Sequence, residues 1–199
     1  MSAIPKNPDE IFRFNSQNLD FRLVDFWRWS QSDLIENRNR GILAEFIVRQ
    51  ALEMKYPTRL EWDAFDLITD DGVKVEVKSA AYIQAWKQKR HSAIQFGIEP
   101  TRGLLEDNNY SEDKLRRADI YIFCLLGHMD QNTINPMNLD QWAFYILPSK
   151  ILNERFPNQK SISLNVLKTL ACQECDYRQL RLRFLAVVGE NGNKYEVNI

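Results

Sequence analysis

The chain has 199 residues, of which 44% are hydrophobic and 27% are charged. This composition is typical of a soluble globular protein, and the length predicts a single domain over residues 1–199 with a substantial core. The net charge of −1 excludes a strongly basic protein, but a neutral protein can still carry a locally positive cleft. No apolar run predicts a secretory signal or a membrane helix, which needs about 18 apolar residues.

The N-terminal third predicts a polar lead followed by helices. Residues 1–20 are polar and predict an extended segment, and residues 26–30 open a short helical region with Ser32 or Asp33 as an N-cap. A longer helix is predicted at about 39–55, where apolar side chains recur at helical spacing. Its apolar stripe consists of Leu43, Ile47 and Ala51.

Glu45 lies on this helix, off the apolar stripe but between apolar neighbours. Local spacing alone predicts an i,i+4 ion pair with Arg49. A functional role for Glu45 is the other interpretation, and the local pattern does not choose between the two.

Two strands follow, at about 59–69 and 73–79, and together they predict a β-hairpin. The second strand alternates apolar and charged residues with the period of two that a half-buried strand shows. Its valines therefore share one face and its charges the other. The apolar set is Val73, Val75 and Val77, and the charged set is Lys74, Glu76 and Lys78.

The turn decides which aspartate joins these charges. A three-residue loop at 70–72, with Gly72 in the left-handed region, places Asp66 opposite Glu76. Cβ atoms of opposed residues lie about 4.5–5.5 Å apart, so both carboxylates could hold one cation. We prefer this register because it also places Phe65 and Leu67 on the valine side.

The alternative is a two-residue loop at Asp71 and Gly72, which shifts the pairing by one residue. Asp66 would then face Val77, and Asp63 would join the charged face. A third interpretation is that the charged face is simply exposed to solvent, where ion pairs contribute only about 0–1 kcal/mol.

The remaining elements continue an α/β pattern. A connecting segment over 80–90 leads to a third strand in which Ile94, Phe96 and Ile98 alternate. Further along we predict a helix at 111–117, strands at 119–126 and 142–147, a helical segment at 162–170 and a strand at 181–185. Helices alternating with strands in this way predict a mixed sheet flanked by helices.

The cysteines predict a reducing setting rather than a disulfide framework. The chain has three, and Cys124 lies in an apolar strand pattern where cysteine acts as a small hydrophobic residue. Cys172 and Cys175 have the spacing of half a zinc site, but a closed site needs four ligands and no second pair exists. We therefore predict a cytoplasmic protein without structural zinc.

The hairpin and the helix before it resemble the PD-(D/E)xK nuclease superfamily, which has the restriction endonuclease-like fold. Asp66, nine intervening residues and then Glu76-Val77-Lys78 match its motif, and Glu45 matches the glutamate of its first core helix. One departure is Phe65, which stands where the motif name has proline. The resemblance covers residues 38–147, with the core order αβββαβ. It divides the chain into a lead and short helix (1–37), a nuclease core and a C-terminal appendage (148–199).

The resemblance implies a metal-dependent deoxyribonuclease active in defence or repair. Asp66, Glu76 and the backbone carbonyl of Val77 would coordinate Mg²⁺ or Mn²⁺, which prefer oxygen ligands. Lys78 would orient the attacking water or stabilise charge in the transition state. Glu45 would bind a second metal ion or a metal-bound water.

DNA is the implied partner, and a homodimer is expected because cutting both strands needs two active sites. Basic and amide side chains near the motif are candidates for phosphate contacts. They are Gln84, Lys87, Lys89, Arg90, Arg38 and Arg40. An equally good interpretation of residues 84–91 is a solvated helix with one buried tryptophan. The alternative function is an inactive module of the same fold that binds nucleic acid or protein.

Overall fold

The computed structural model describes residues 4–55, 59, 64–102, 111–170 and 172–191. Strands in this part of the chain are β1 (Ile11–Phe14), β2 (Gln17–Arg22), β3 (Leu67–Ile68), β4 (Lys74–Ala81), β5 (Gln95–Gly97), β6 (Ile120–Leu126), β7 (Trp142–Pro148) and β8 (Ser161–Ser163). Helices are α1 (Leu23–Gln31), α2 (Asn37–Ala51), α3 (Ser149–Arg155), α4 (Leu164–Thr169) and α5 (Tyr177–Asn191).

The N-terminal segment is a β-hairpin followed by a helix, whereas an extended lead was expected. β1 pairs with β2, and Leu23 at the start of α1 donates its backbone N–H to Glu10. The Phe12 and Phe21 rings pack across the hairpin with their centroids 4.9 Å apart. Every described side chain from residue 4 to residue 22 is nevertheless exposed. The hairpin is therefore built from local contacts and buries little apolar surface.

A central four-stranded mixed sheet has the order β3-β4-β6-β7. β4 is antiparallel to β3 and parallel to β6, and β6 is antiparallel to β7. β6 is buried along its whole length because layers cover both faces of the sheet. A mixed sheet flanked by helices confirms the predicted fold class.

Helices α2 and α5 cover the valine face of the sheet. Val75 and Val77 of β4 pack there with the apolar stripe of α2 and with Leu180 and Phe184 of α5. The strand predicted at 181–185 is therefore wrong, because this segment lies inside α5. Residues 177–188 place apolar groups at helical spacing, and that longer pattern overrides the short alternation of Arg181 to Leu185.

The opposite face of the sheet is covered by α3, α4 and a small sheet formed by β5 and β8. The third strand predicted at 94–98 exists as β5, but it pairs with β8 outside the central sheet. Phe96 and Ile162 are buried in this second layer. The part of the chain predicted as a C-terminal appendage therefore packs on both faces of the sheet.

The helix predicted at 111–117 is wrong. Leu115 instead forms an isolated β-bridge with Thr101, and the short apolar spacing there is not continued into a helix. Arg116 is buried and holds the second layer together. Its guanidinium donates hydrogen bonds to the carbonyls of Ile98 (2.7 Å), Leu152 (3.3 Å) and Phe156 (2.7 Å).

Within the described ranges, every helix falls short of the length and apolar character needed to cross a membrane.

Candidate active site

The β3–β4 hairpin has the three-residue loop that the sequence predicts. Gly72 has φ +81°, the left-handed region, and its N–H donates to the Thr69 carbonyl over 2.9 Å. Leu67 faces Val75 in the ladder, so the preferred register is confirmed and the two-residue loop is wrong. The same count places Asp66 opposite Glu76. The Asp66 Oδ2 atom accepts a hydrogen bond from the Val77 N–H, 2.7 Å away.

One detail of that prediction is wrong. Leu67 packs on the valine side, but Phe65 packs into the second layer, and the Lys74 ammonium lies 5.4 Å from its ring centroid. Strand β3 has only two residues, and the backbone bends at 64–66. Strict alternation therefore does not extend back from Leu67 to Phe65.

Glu76 and Lys78 form a partly buried ion pair on the charged face of β4. The Lys78 Nζ donates to the Glu76 Oε1 over 2.5 Å, and the two side chains are 33% and 18% exposed, respectively. Burial raises the pKa of Glu76, and the negative charge of Asp66 raises it further, against the opposing effect of Lys78. Burial alone would lower the pKa of Lys78, but Glu76, Asp66 and Glu45 together raise it. Lys78 is therefore an ammonium at neutral pH.

Glu45 reaches the same group of charges from α2. Its neighbour is Arg59 rather than Arg49, and the guanidinium donates Nε to Oε2 over 2.5 Å and Nη2 to Oε1 over 3.0 Å. Burial raises the pKa of Glu45, Arg59 lowers it, and the charge of Asp66 raises it again. Helix, hairpin and strand thus bring Glu45, Asp66, Glu76 and Lys78 within electrostatic reach of one another.

Sequence reasoning missed two neighbours of this group. Arg59 lies at the start of the strand predicted at 59–69, and strand alternation does not indicate a contact with Glu45 on the preceding helix. Tyr121 of β6 pairs with Glu76 across the parallel ladder, and burial followed by the charge of Glu76 raises its pKa. The apolar pattern of β6 did predict a buried strand, but not which residue would lie beside Glu76.

The donor set fits a hard divalent cation. Asp66, Glu76 and the Val77 carbonyl offer oxygen atoms only, and Mg²⁺ commonly takes one or two protein carboxylates together with water and phosphate. Among the described residues no three acidic, histidine or cysteine side chains form a ready-made cage. The repulsion that raises the pKa of Glu76 is the effect that a bound cation would relieve.

The residues predicted to contact DNA fall into two environments. Lys87, Lys89 and Arg90 are exposed and line an open cavity over residues 86–93. This segment is not helical, and Trp86 is 57% exposed, so the buried-tryptophan helix is wrong. Arg38 is exposed, whereas Arg40 and Gln84 are buried and hydrogen-bond to each other over 3.3 Å.

The cysteines are three free thiols, all buried. Cys172 donates its Sγ–H to the Ile146 carbonyl over 3.0 Å, and Cys175 forms a backbone bridge with Phe144. Burial raises the pKa of Cys172 to about 12 and that of Cys175 to about 11. In the described structure both thiols are packed in the core.

The hairpin and α2 thus gather three acidic groups and a lysine, a set of side chains suited to phosphodiester chemistry. Comparison with known families agrees with that class. Residues 22–166 match the model of the bacteriophage T4 endonuclease IV family, and the chain belongs to this family. The matched region contains every candidate catalytic residue. No curated protein matches the chain.

Proposed function

We propose that the protein is a metal-dependent DNA endonuclease whose active site is built from Asp66, Glu76, Lys78 and Glu45. The observation that carries this proposal is the β3–β4 pairing, which brings Asp66 onto the Val77 N–H beside the partly buried pair of Glu76 and Lys78. The endonuclease family match supports the reaction class. The resemblance to PD-(D/E)xK nucleases supports the restriction-like type and the assignment of roles.

Lys78 has the properties of a charge stabiliser. Its neighbours hold it as an ammonium, so it cannot take a proton from water at neutral pH, but it can donate a hydrogen bond to an oxygen of the phosphate. Negative charge on those oxygens grows as water attacks phosphorus and the P–O bond to the leaving oxygen breaks. A donor already in place costs little reorganisation, because the ion pair with Glu76 fixes its position.

Asp66, Glu76 and the Val77 carbonyl would hold Mg²⁺ or Mn²⁺, with Glu45 available to a second ion or to water. When bound, the cation would polarise the phosphate and lower the pKa of an attacking water. The hydrogen bond from Val77 N–H fixes the Asp66 carboxylate. The bidentate contact with Arg59 fixes the Glu45 carboxylate in the same way.

The test is a cleavage assay with Mg²⁺ or Mn²⁺ on supercoiled, linear, single-stranded and branched DNA. Wild type should cut at least one of these substrates. We expect Lys78→Ala to lose about 10²–10³-fold in rate, the usual cost of removing a transition-state donor, and Glu76→Ala, which removes a proposed metal ligand, to lose a similar factor. The substrate that is cut fastest would distinguish a defence nuclease from a repair nuclease.

Lys74→Ala is the matched control, because Lys74 lies on the same strand but is exposed at its start. It should leave the rate within about twofold of wild type, as most exposed substitutions have small effects. Activity that survives in both Lys78→Ala and Glu76→Ala would contradict the proposed site. Wild-type protein that cuts no substrate and binds no metal in titration calorimetry would favour the inactive binding module instead.

Two further elements belong to this proposal. Lys87, Lys89, Arg90 and Arg38 would contact the phosphates of bound DNA, since all four are cationic and exposed. A homodimer would bring together the two active sites that a double-strand cut needs. Sedimentation equilibrium would decide between one copy and two.

A further inference from the structure

Arg40 is a buried cation without an acidic hydrogen-bond partner. It is 4% exposed, and its three side-chain hydrogen bonds go to neutral oxygens: the carbonyl of Ile35 (2.9 Å), Oε1 of Gln84 (3.3 Å) and Oδ1 of Asn37 (2.7 Å). Its Nε is buried and makes no hydrogen bond within the described part of the chain. Glu36 acts on it only at longer range.

Arg116 is also buried among neutral oxygens, but all three of its side-chain nitrogens donate hydrogen bonds, whereas the Nε of Arg40 does not. The arrangement of Arg40 is therefore less favourable for a residue that only supports the fold. Moving a charge out of water costs several kcal/mol, and buried charges in proteins are normally paired. Three neutral acceptors orient the guanidinium but do not compensate its charge. A buried arginine that is held in place and keeps an unpaired donor is therefore suited to an anion that comes from outside the chain.

Arg40 also lines a cavity of about 240 Å³. Polar side chains and Trp86 line it with Arg40: Asn37, Ser79, Gln84, Ser92 and Gln95. No acidic side chain is among the described residues that line it. The cavity adjoins the open surface over 86–93, which carries Lys87, Lys89 and Arg90. These positive charges favour an anion both in the cavity and at its mouth.

The cavity begins where the catalytic strand leaves the candidate active site. Lys78 is followed on β4 by Ser79, Ala80 and Ala81, and all three line the cavity. Each residue of a strand advances the chain by about 3.3 Å, so the cavity starts one step beyond Lys78. A polynucleotide that presents one phosphate to Lys78 can present a neighbouring phosphate to Arg40.

We propose that the Arg40 cavity is a phosphate-binding subsite that holds a backbone phosphodiester of the DNA substrate beside the one that is cut. Arg40 supplies the charge, and Asn37 and Gln84 hold its guanidinium in place. This proposal rests on the proposed nuclease function for its ligand, but its test does not require cleavage.

The test is the salt dependence of DNA binding in EDTA, with fluorescent single-stranded and duplex oligonucleotides whose ends carry no phosphate. Arg40→Gln removes the positive charge. Gln84→Glu keeps Arg40 but places a carboxylate where the amide oxygen lies 3.3 Å from its guanidinium, so the two charges cancel. We expect either variant to weaken binding about tenfold or more. The slope of log K against log salt should fall by about 0.7 for single strands and 0.9 for duplex, the value for one lost phosphate contact.

The controls are Arg178→Gln and Gln173→Glu, which make the same changes of charge at exposed positions. Thermal melts followed by circular dichroism identify any variant that does not fold, and Gln84→Glu keeps the proposal testable if Arg40→Gln unfolds. Slopes equal to those of the controls in the folded variants would overturn the subsite. So would a wild type that binds neither oligonucleotide.

Cleavage by wild type separates the two proposals. Binding with the expected slopes but no cleavage in Mg²⁺ or Mn²⁺ would leave the subsite standing and contradict the nuclease. Cleavage together with unchanged slopes in Arg40→Gln and Gln84→Glu would contradict the subsite alone.

Discussion

The surroundings of Glu76 oppose its ionisation. Burial and the charge of Asp66 raise its pKa, so the unfolded chain loses this proton at lower pH than the folded protein does. Ionisation of Glu76 therefore reduces the free energy of unfolding as pH rises through the interval between the two pKa values. A carboxylate that destabilises its own fold is typical of a site arranged for function.

We therefore predict that Glu76→Gln melts at higher temperature than wild type at pH 7 without metal, although it removes a catalytic group. A gain of about 1 kcal/mol corresponds to about 2–4 °C for a chain of this size. Differential scanning calorimetry in EDTA measures the change. Glu154→Gln on the exposed side of α3 is the control and should not shift the melting temperature. A lower melting temperature for Glu76→Gln would show that its pair with Lys78 outweighs the burial.

At the scale of elements, Arg116 joins β5 to α3 across the second layer. Arg116→Met would leave the carbonyls of Ile98, Leu152 and Phe156 without this donor in a buried setting. We expect a loss of about 3–5 kcal/mol in the free energy of unfolding, since each unsatisfied buried group costs about 1–3 kcal/mol. Urea denaturation measures it.

Arg155→Met is the matched control, because it changes the same residue type on the exposed side of α3. Its effect should stay within about 0.5 kcal/mol. An equally small effect of Arg116→Met would mean that water replaces the guanidinium at these carbonyls.

The elements also show where sequence reasoning succeeds. The hairpin at 67–81 was predictable because its alternation and its Gly72 turn are local. The turn alone left two registers open, and the valine-side position of Leu67 favoured the one that the structure has. The third strand was found, but its partner was not, because the pairing of β5 with β8 depends on residues 161–163, far along the chain. The contact of Arg59 with Glu45 could not be predicted either, since no periodicity links the two residues.

The charges around β4 show the same limit. The pairing of Glu76 with Lys78 follows from strand alternation, which places i and i+2 on one face. Arg40 and Gln84 are buried because α2 packs on the end of β4. The helical pattern of α2 alone does not predict this burial. The face of the strand on which each charge lies was therefore predictable, whereas its burial and its partners were not.

At the scale of the whole molecule, a bound cation should stabilise the fold. Asp66 and Glu76 are held close together only in the folded hairpin, so Mg²⁺ would bind the folded state and raise its melting temperature. At a concentration about 100 times its dissociation constant, the gain would be about 2.7 kcal/mol. Thermal melts of wild type against Mg²⁺ concentration measure it.

Asp66→Asn is the variant that tests whether the stabilising ion binds at this site. It keeps the shape of the side chain and removes one anionic ligand, so it should respond much less to Mg²⁺ than wild type does. Sodium chloride at equal ionic strength separates a bound ion from general screening. An equal shift in wild type and Asp66→Asn would contradict the assignment of Asp66 as a ligand.

The two neighbours of β4 differ in how far along the chain they lie. Leu67 pairs with Val75 only eight residues later, whereas Val75 pairs with Ile120 after forty-five. Closing the short loop costs less entropy, so the hairpin can form before β6 arrives. During folding, the acidic groups would then meet while still in water, and the docking of β6 would desolvate them. The raised pKa of Glu76 would thus arise late in folding, when β6 docks and buries this carboxyl group.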